Sequence, residues 1–253
     1  MIRLWQKLSR HSKFLLEDIF AFISSPICPG CECNIESNRR PLCDKCNYEL
    51  RGSFHGDGPL CLRCRAPEGI SCACSVDEKY PTPRFYYWSQ YTELMRALLH
   101  RFKFEGEQRL GQYLTSIAWD IMADRLVCLK FDRIVVVPMR VNDKRERGFN
   151  QTELIAQIIS EKMAQKPSFN LLIKIKSTRL QAKLGADERW SNVRDVFRVD
   201  AVNHLTGESI LLIDDIITTG ATCYEASRAL YEAGASKVTV FAIACADDLG
   251  RKS

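Results

Sequence analysis

Nine of the chain's 12 cysteines fall between Cys28 and Cys74, eight of them in the pairs Cys28-x-x-Cys31, Cys43-x-x-Cys46, Cys61-x-x-Cys64 and Cys72-x-Cys74. Two thiolates separated by two residues can both reach one tetrahedral Zn²⁺ at ~2.3 Å, because the short knuckle turns both sulfurs inward. A disulfide across so short a loop removes little chain entropy and makes a poor framework. Repeated pairs of this kind therefore read as one or two structural zinc sites in a reducing cytosol. Cys28, Cys31, Cys43 and Cys46 form the cleaner ligand set. Cys61, Cys64, Cys72 and Cys74 are less regular, because the last pair has a single intervening residue, and Cys33 is a ninth, spare thiol. Spacing leaves open whether the pairs combine sequentially or interleave, and a redox or disulfide cluster is the competing reading. Cys128, Cys223 and Cys245 sit in apolar stretches and are expected in the core.

The rest of the chain is ordinary in composition. Hydrophobic residues make 46% and charged residues 26% of 253 positions, which excludes a disordered chain, a fibrous repeat and a coiled coil. Three segments are expected: an amphipathic N-terminal helix (1–27), a cysteine-rich zinc module (28–80) and an α/β domain (81–253). The N-terminal segment has no run of the ~18 apolar residues that a membrane span needs. Glu17 and Asp18 fall where a signal peptide would be apolar. Such a helix packs on the body or a partner, or touches a membrane surface.

Beyond residue 80 the pattern alternates. Strands are expected at Arg84–Trp88, Arg133–Pro138, Ile210–Asp214 and Val238–Ala244. Helices are expected at Thr92–Phe102, Leu110–Leu126, Asn150–Met163 and Thr222–Ala233. Asn150 with Glu153, and Thr222 with Glu225, resemble capping boxes. Short β-branched runs such as Ile134-Val135-Val136-Val137 suit strands buried on both faces. Their alternation with helices implies a parallel sheet.

Charge is concentrated. Between Lys162 and Arg198 lie nine basic and three acidic residues, so this stretch carries +6 against +5 for the whole chain. It could attract phosphate-rich partners, or it could be a solvated face.

The segment from Ile210 to Thr222 carries the chemistry. It is an apolar strand, the acids Asp214 and Asp215, a Thr218-Thr219-Gly220 loop, and a helix opening through Ala221 and Thr222. Backbone N–H groups and hydroxyls at a helix N-terminus suit a monoester phosphate. Paired carboxylates would repel that phosphate on contact, but one sugar away they can accept hydrogen bonds from two ribose hydroxyls. No Walker lysine and no dinucleotide-type glycine fingerprint is present.

These residues resemble the phosphoribosyl-pyrophosphate (PRPP) motif of type I phosphoribosyltransferases. Val137-Pro138, Arg145-Glu146-Arg147-Gly148-Phe149-Asn150-Gln151, Thr178-Arg179 with Gln181, Leu184, Arg189, Asn192 and Phe197, and Phe102-Lys103-Phe104-Glu105-Gly106 resemble motifs of the ComF family. The resemblance covers roughly residues 20–247. It implies a type I phosphoribosyltransferase-like parallel sheet with helices on both faces, preceded by a small zinc module. It implies that Asp214 and Asp215 hold ribose hydroxyls and that Thr218, Thr219, Gly220, Ala221 and Thr222 wrap a 5′-phosphate. Arg145 and Arg147 would meet pyrophosphate, with Mg²⁺ held largely by substrate oxygens and water, while Asn150 and Gln151 face an anion or serve as caps. The role implied is in natural competence: a cytoplasmic protein, in some settings peripheral at the inner membrane, that handles single-stranded DNA beside a membrane translocation machinery. An active phosphoribosyltransferase of nucleotide salvage or synthesis, and a zinc-ribbon scaffold with a vestigial PRPP site, are the alternatives.

Overall fold

A computed structural model describes residues 26–35, 40–53, 58–70, 72, 74, 79–139, 141–176, 186–200 and 205–246. Residues 1–25 of the expected 1–27 helix, and Thr178, Arg179, Gln181 and Leu184, lie outside the described residues. The chain divides into two compact units, Met1–Glu49 and Leu50–Ser253. The first four-cysteine set belongs to the first unit and the second set to the second.

The elements in chain order are α1 (Asp44–Gly52), β1 (Leu60–Cys61), β2 (Arg84–Gln90), α2 (Glu93–Phe104), α3 (Gln108–Cys128), β3 (Arg133–Val136), α4 (Val141–Arg147), α5 (Gln151–Lys162), β4 (Pro167–Ser168), β5 (Leu172–Lys174), α6 (Ala186–Asn192), β6 (Phe197–Val199), β7 (Ser209–Ile217), α7 (Ala221–Glu232) and β8 (Lys237–Cys245). The main sheet runs β1-β2-β8-β7-β3-β4. β2 to β4 are mutually parallel along it, and only β1 is antiparallel. β5 and β6 form a separate antiparallel hairpin. From β3 the chain steps outward to β4, then returns to the other side of β3 as β7. The two strands thus flank a topological switch point, where open α/β sheets bind ligands at the carboxyl ends of the strands.

Both faces of the sheet are covered. Phe85, Tyr87, Val135, Ile210, Leu212, Val240 and Ala242 share a core cluster with Cys223, Ala226, Ala229 and Leu230 of α7. The alternate residues, including Trp88, Ile134, Val136, Leu211, Ile213 and Phe241, are at most 1% exposed. Since successive strand residues point to opposite faces, the second face is covered as well; α3 lies against β2 and β8, and α5 against β3 and β7. This is an α/β fold.

Local chemistry sets the helix ends. Thr92 caps α2 by accepting from the Met95 N–H, and Asn150 caps α5 by accepting from Thr152. Glu153 accepts from the Asn150 side-chain amide rather than completing a backbone capping box. Gly111 lets α3 approach α2, because a Cβ there would lie 2.2 Å from the Phe102 ring.

Three expectations are corrected. α7 starts at Ala221, with Gly220 as its N-cap at φ 84° and no side-chain cap, so Thr222 lies inside the helix. The left-handed turn that brings the strand into the helix requires glycine at the cap itself. Glu225 instead accepts from the Asp195 N–H and Arg228. Cys128 is exposed rather than core, being the last residue of α3 beside the exposed Val127. β7 continues through the acids to Ile217 rather than ending at Asp214.

Candidate functional site

The cysteines form two tetrads. The ligand atoms of Cys28, Cys31, Cys43 and Cys46 all lie within 4.8 Å of one another, as do those of Cys61, Cys64, Cys72 and Cys74. Four thiolates at ~2.3 Å from a tetrahedral ion would stand about 3.8 Å apart, so both sets fit zinc. The pairs therefore combine sequentially, and Cys33 stands outside the first tetrad, with the Cys31 thiol 3.4 Å from its sulfur.

Each tetrad begins in the same hairpin. In the first, the Cys28 N–H donates to Cys33 O, Glu32 N–H donates to Cys28 O, and Ile27 bridges Asn34. In the second, the Cys61 N–H donates to Ala66 O, Arg65 N–H donates to Cys61 O, and Leu60 bridges Pro67. Glu32 (φ 59°) and Arg65 (φ 63°) both hold the left-handed conformation just after the second cysteine.

The acids lie at a step in the sheet. On the β3 side, β7 pairing ends at Val136 with Ile213, after which the Val137 N–H donates to Ile213 O at 3.0 Å. On the β8 side it runs on through Asp214 with Ala242 to Ile217 with Cys245. One flank of Asp214 and Asp215 is thereby opened, and both are half-buried. Asp214 Oδ1 accepts from the Asp215 N–H at 2.8 Å, and Oδ2 accepts from the Cys223 thiol at 3.2 Å. Burial, and next the Asp215 charge, push the Asp214 carboxyl up to about 7, against the thiol, the Asp215 N–H and Lys103, which favour its charged form. Burial and then the Asp214 charge drive the Cys223 thiol well above its ordinary range.

Asp215 is held differently. Lys103 Nζ lies 2.8 Å from its Oδ2, in a pair of which each side chain is less than a fifth exposed. The lysine cancels one of two adjacent negative charges, which lowers the barrier to an anionic ligand. Lys103 is positioned from the α5 side: Gln151 Nε2 donates to its carbonyl at 3.3 Å, and Phe149 packs on Phe102 at 5.6 Å. Arg147 lies over the Phe104 ring at 4.5 Å and donates to Gln151 Oε1 at 3.1 Å. Three sequence motifs, 102–106, 145–151 and 214–222, are thus brought together. Arg145 is exposed on α4.

In the loop, Thr219 is buried and accepts from the Ala221 N–H at 3.4 Å. Thr218 and Thr222 are half-buried. The second cysteine hairpin borders this loop. Arg65 Nη2 donates to the Thr218 carbonyl, and a Cβ on Gly220 would meet Leu62 O at 2.6 Å.

Sequence reasoning gave Lys103 no role beyond its place in the aromatic-Lys-aromatic element, and did not single out Arg65. A lone basic residue between two aromatics at a helix end was the available signal for the first. Arg65 had only its position after Cys64, since its partner is 153 residues away.

In the basic stretch, Lys162, Lys166, Lys176, Arg194 and Arg198 are exposed, and Lys174 lies over the Phe197 ring at 5.8 Å. Among the described residues no helix is long and apolar enough to cross a membrane.

Fold and site together define an α/β protein with two four-cysteine clusters and an acid-pair, Thr/Gly loop at the switch point of a mostly parallel sheet. No family model matches the chain. It is similar to "DNA utilization protein YhgH" of Salmonella typhi, with 26% identity over 223 residues, covering 86% of this chain and 96% of that protein. It is similar to "Competence protein F" of Haemophilus influenzae, with 27% identity over 225 residues and the same two coverages. It also matches "Competence protein ComFC" of Bacillus subtilis, with 28% identity over 215 residues, 80% of this chain and 83% of that one. These are homologues along 80–86% of the chain, and their names are those of competence and DNA-utilization proteins.

Proposed function

We propose that this is a ComF-type protein acting in competence or DNA utilization, in which a PRPP-binding loop and a basic surface handle phosphorylated sugar and single-stranded DNA on the cytoplasmic side. The names of its homologues, competence and DNA utilization, support the DNA-related part. The observation that carries the ligand part is the Lys103-neutralised acid pair directly before a threonine-lined helix N-terminus. Asp214 and Asp215 would accept from ribose hydroxyls, and Thr218 to Thr222 would surround the 5′-phosphate with N–H and O–H donors. Arg145 and Arg147 would meet the pyrophosphate as guanidinium groups suited to paired phosphate oxygens. Mg²⁺ would travel with PRPP, held by its oxygens and water. The cysteine tetrads would hold zinc, which cross-links each hairpin to its downstream pair. Lys176, Arg194 and Arg198 belong to the surface that would contact the DNA backbone.

Titration of the full chain with PRPP and Mg²⁺ tests the ligand site. Binding by the parent and its loss in Asp214→Asn/Asp215→Asn is expected, and a parent that does not bind overturns this part. Single-stranded DNA binding should weaken with salt, and neutralising Lys176, Arg194 and Arg198 should flatten the slope by about one unit per lost phosphate contact. An unchanged slope overturns the DNA surface.

A second reading, turnover as a phosphoribosyltransferase, is favoured by one observation. Burial and the Asp215 charge push the Asp214 carboxyl up to about 7, in the range where a group can exchange a proton during reaction. Pyrophosphate leaving C1′ would develop positive charge on the ribose, which the adjacent carboxylates can stabilise. Pyrophosphate release in the presence of a panel of nucleobases is the corresponding measurement.

A further inference from the structure

We propose that Arg65 is a positioning residue for the phosphate loop, and that through it metal occupancy at the second cysteine tetrad and anion binding at Thr218–Thr222 are linked. The inference rests on the loop being the phosphate site.

The hairpin that starts the tetrad is built into the sheet. Leu60 and Cys61 pair with Phe85 and Arg84. The Leu62 N–H donates to Pro83 O at 3.0 Å, and Arg84 Nη1 donates to Ala66 O at 2.9 Å. Leu62 itself is fully buried in the core cluster that includes α7. From this anchored turn Arg65 projects toward the loop. Its guanidinium lies 4.6 Å from the Phe85 ring centroid, donates to Leu62 O at 3.3 Å, and donates to the Thr218 carbonyl. One guanidinium thus ties the turn to the first residue of the loop while an aromatic ring fixes its plane.

The other end of the loop is held by shape. The Leu62 carbonyl occupies the space a Gly220 Cβ would need. The loop therefore has a donor at Thr218 and a steric stop at Gly220, both supplied by Cys61–Arg65. The thiols of Cys61 and Cys64 lie within 4.8 Å of those of Cys72 and Cys74, so an ion held by all four would brace that segment. Arg65 holds its backbone conformation (φ 63°) inside the same knuckle. Losing the ion frees the knuckle at Cys64 and Arg65, and the loop loses its donor at Thr218, while the Leu62 carbonyl stays fixed by the sheet. By linkage, an anion that orders the loop must equally tighten the ion.

The test uses the full chain carrying Cys43→Ser, so that zinc release reports the second tetrad. Release to a chelator is followed colorimetrically with and without ribose 5-phosphate, and with PRPP and Mg²⁺. Ligand should slow release about five-fold or more, the low end of typical coupling. In Arg65→Met, which keeps an apolar side chain over Phe85, ligand should no longer slow release. Arg65→Lys should restore part of the effect. Hydrogen exchange supplies a readout independent of ligand: zinc withdrawal should speed exchange at 218–222 about ten-fold or more, with β3 unchanged as the sign that the sheet stays folded. If PRPP binds but release and loop exchange are both indifferent to it, to zinc and to Arg65→Met, the linkage is overturned and the binding site stands. If PRPP does not bind at all while zinc still controls loop exchange, the phosphate-site reading fails and the Arg65 restraint survives without it.

Discussion

The hairpins at Cys28–Asn34 and Cys61–Pro67 share their hydrogen bonds, their bridge offsets and a left-handed residue after the second cysteine. Their surroundings differ. In the second, Leu60 and Cys61 form a sheet strand, Leu62 enters the α/β core, and Arg65 holds the phosphate loop. The first stands in the 1–49 unit, followed by α1, on which Cys46 lies. There, backbone N–H groups of Cys43 and Cys46 donate to the sulfurs of Cys28 and Cys43 at 3.4 and 3.5 Å. The same local chemistry builds the same cradle twice. The consequence of losing an ion depends on the structure to which each hairpin is attached.

The largest expected difference comes from equivalent ligands. Structural zinc can contribute on the order of 10 kcal/mol to folding of the segment that holds it. Cys64→Ser should therefore lower the melting temperature of the α/β unit and weaken PRPP binding about five-fold or more. Cys31→Ser should release one zinc with PRPP binding intact. Equal effects on the loop would break the contrast.

Gly220→Ala comes next. A left-handed alanine costs about 1–2 kcal/mol, and the Leu62 carbonyl stands in the way of its methyl group. A loss of about 3 kcal/mol in denaturant unfolding is expected once the clash is added to the strain.

Lys103→Met removes the partner of Asp215. Breaking a fully buried pair costs about 3–5 kcal/mol, and some solvent access here reduces that to about 2. The Asp214 titration should move further upward, since Lys103 favours its charged form.

The pH dependence arises from the same carboxyl. The folded chain holds the Asp214 proton to about pH 7, while an unperturbed aspartate loses it near 3.8. Between these values the folded state binds more protons, so this group's contribution to stability falls as pH rises from about 4 to 7. Asp214→Asn should remove that slope in urea melts taken across the range, whereas neither tetrad's cysteine variants should.

The smallest effect sharpens the comparison by sign. Glu32→Gly relieves a left-handed side chain and should stabilise its unit by about 1 kcal/mol. Arg65→Gly relieves the same strain but removes two carbonyl contacts and a ring contact, and should destabilise. Chemical denaturation of each variant against the parent decides both.

The sequence by itself determined what is local. Cysteine spacing marked the ligands of both tetrads, and β-branched runs marked β3, β7 and β8, because thiolate reach and strand periodicity act over a few residues. Thr92 and Asn150 were readable as helix starts for the same reason. The acid pair and Thr/Gly loop also stood out, since strand, turn and helix are contiguous there. The tertiary structure decided the rest. Which cysteine pairs come together and why the Asp214 carboxyl is pushed up depend on burial and packing, and the Lys103–Asp215 and Arg65–Thr218 contacts join residues more than a hundred apart in the chain. Gly220 took the cap position expected of Thr222 for a related reason. Its turn must pass the Leu62 carbonyl, and no pattern in the chain signals a contact made only when the sheet closes.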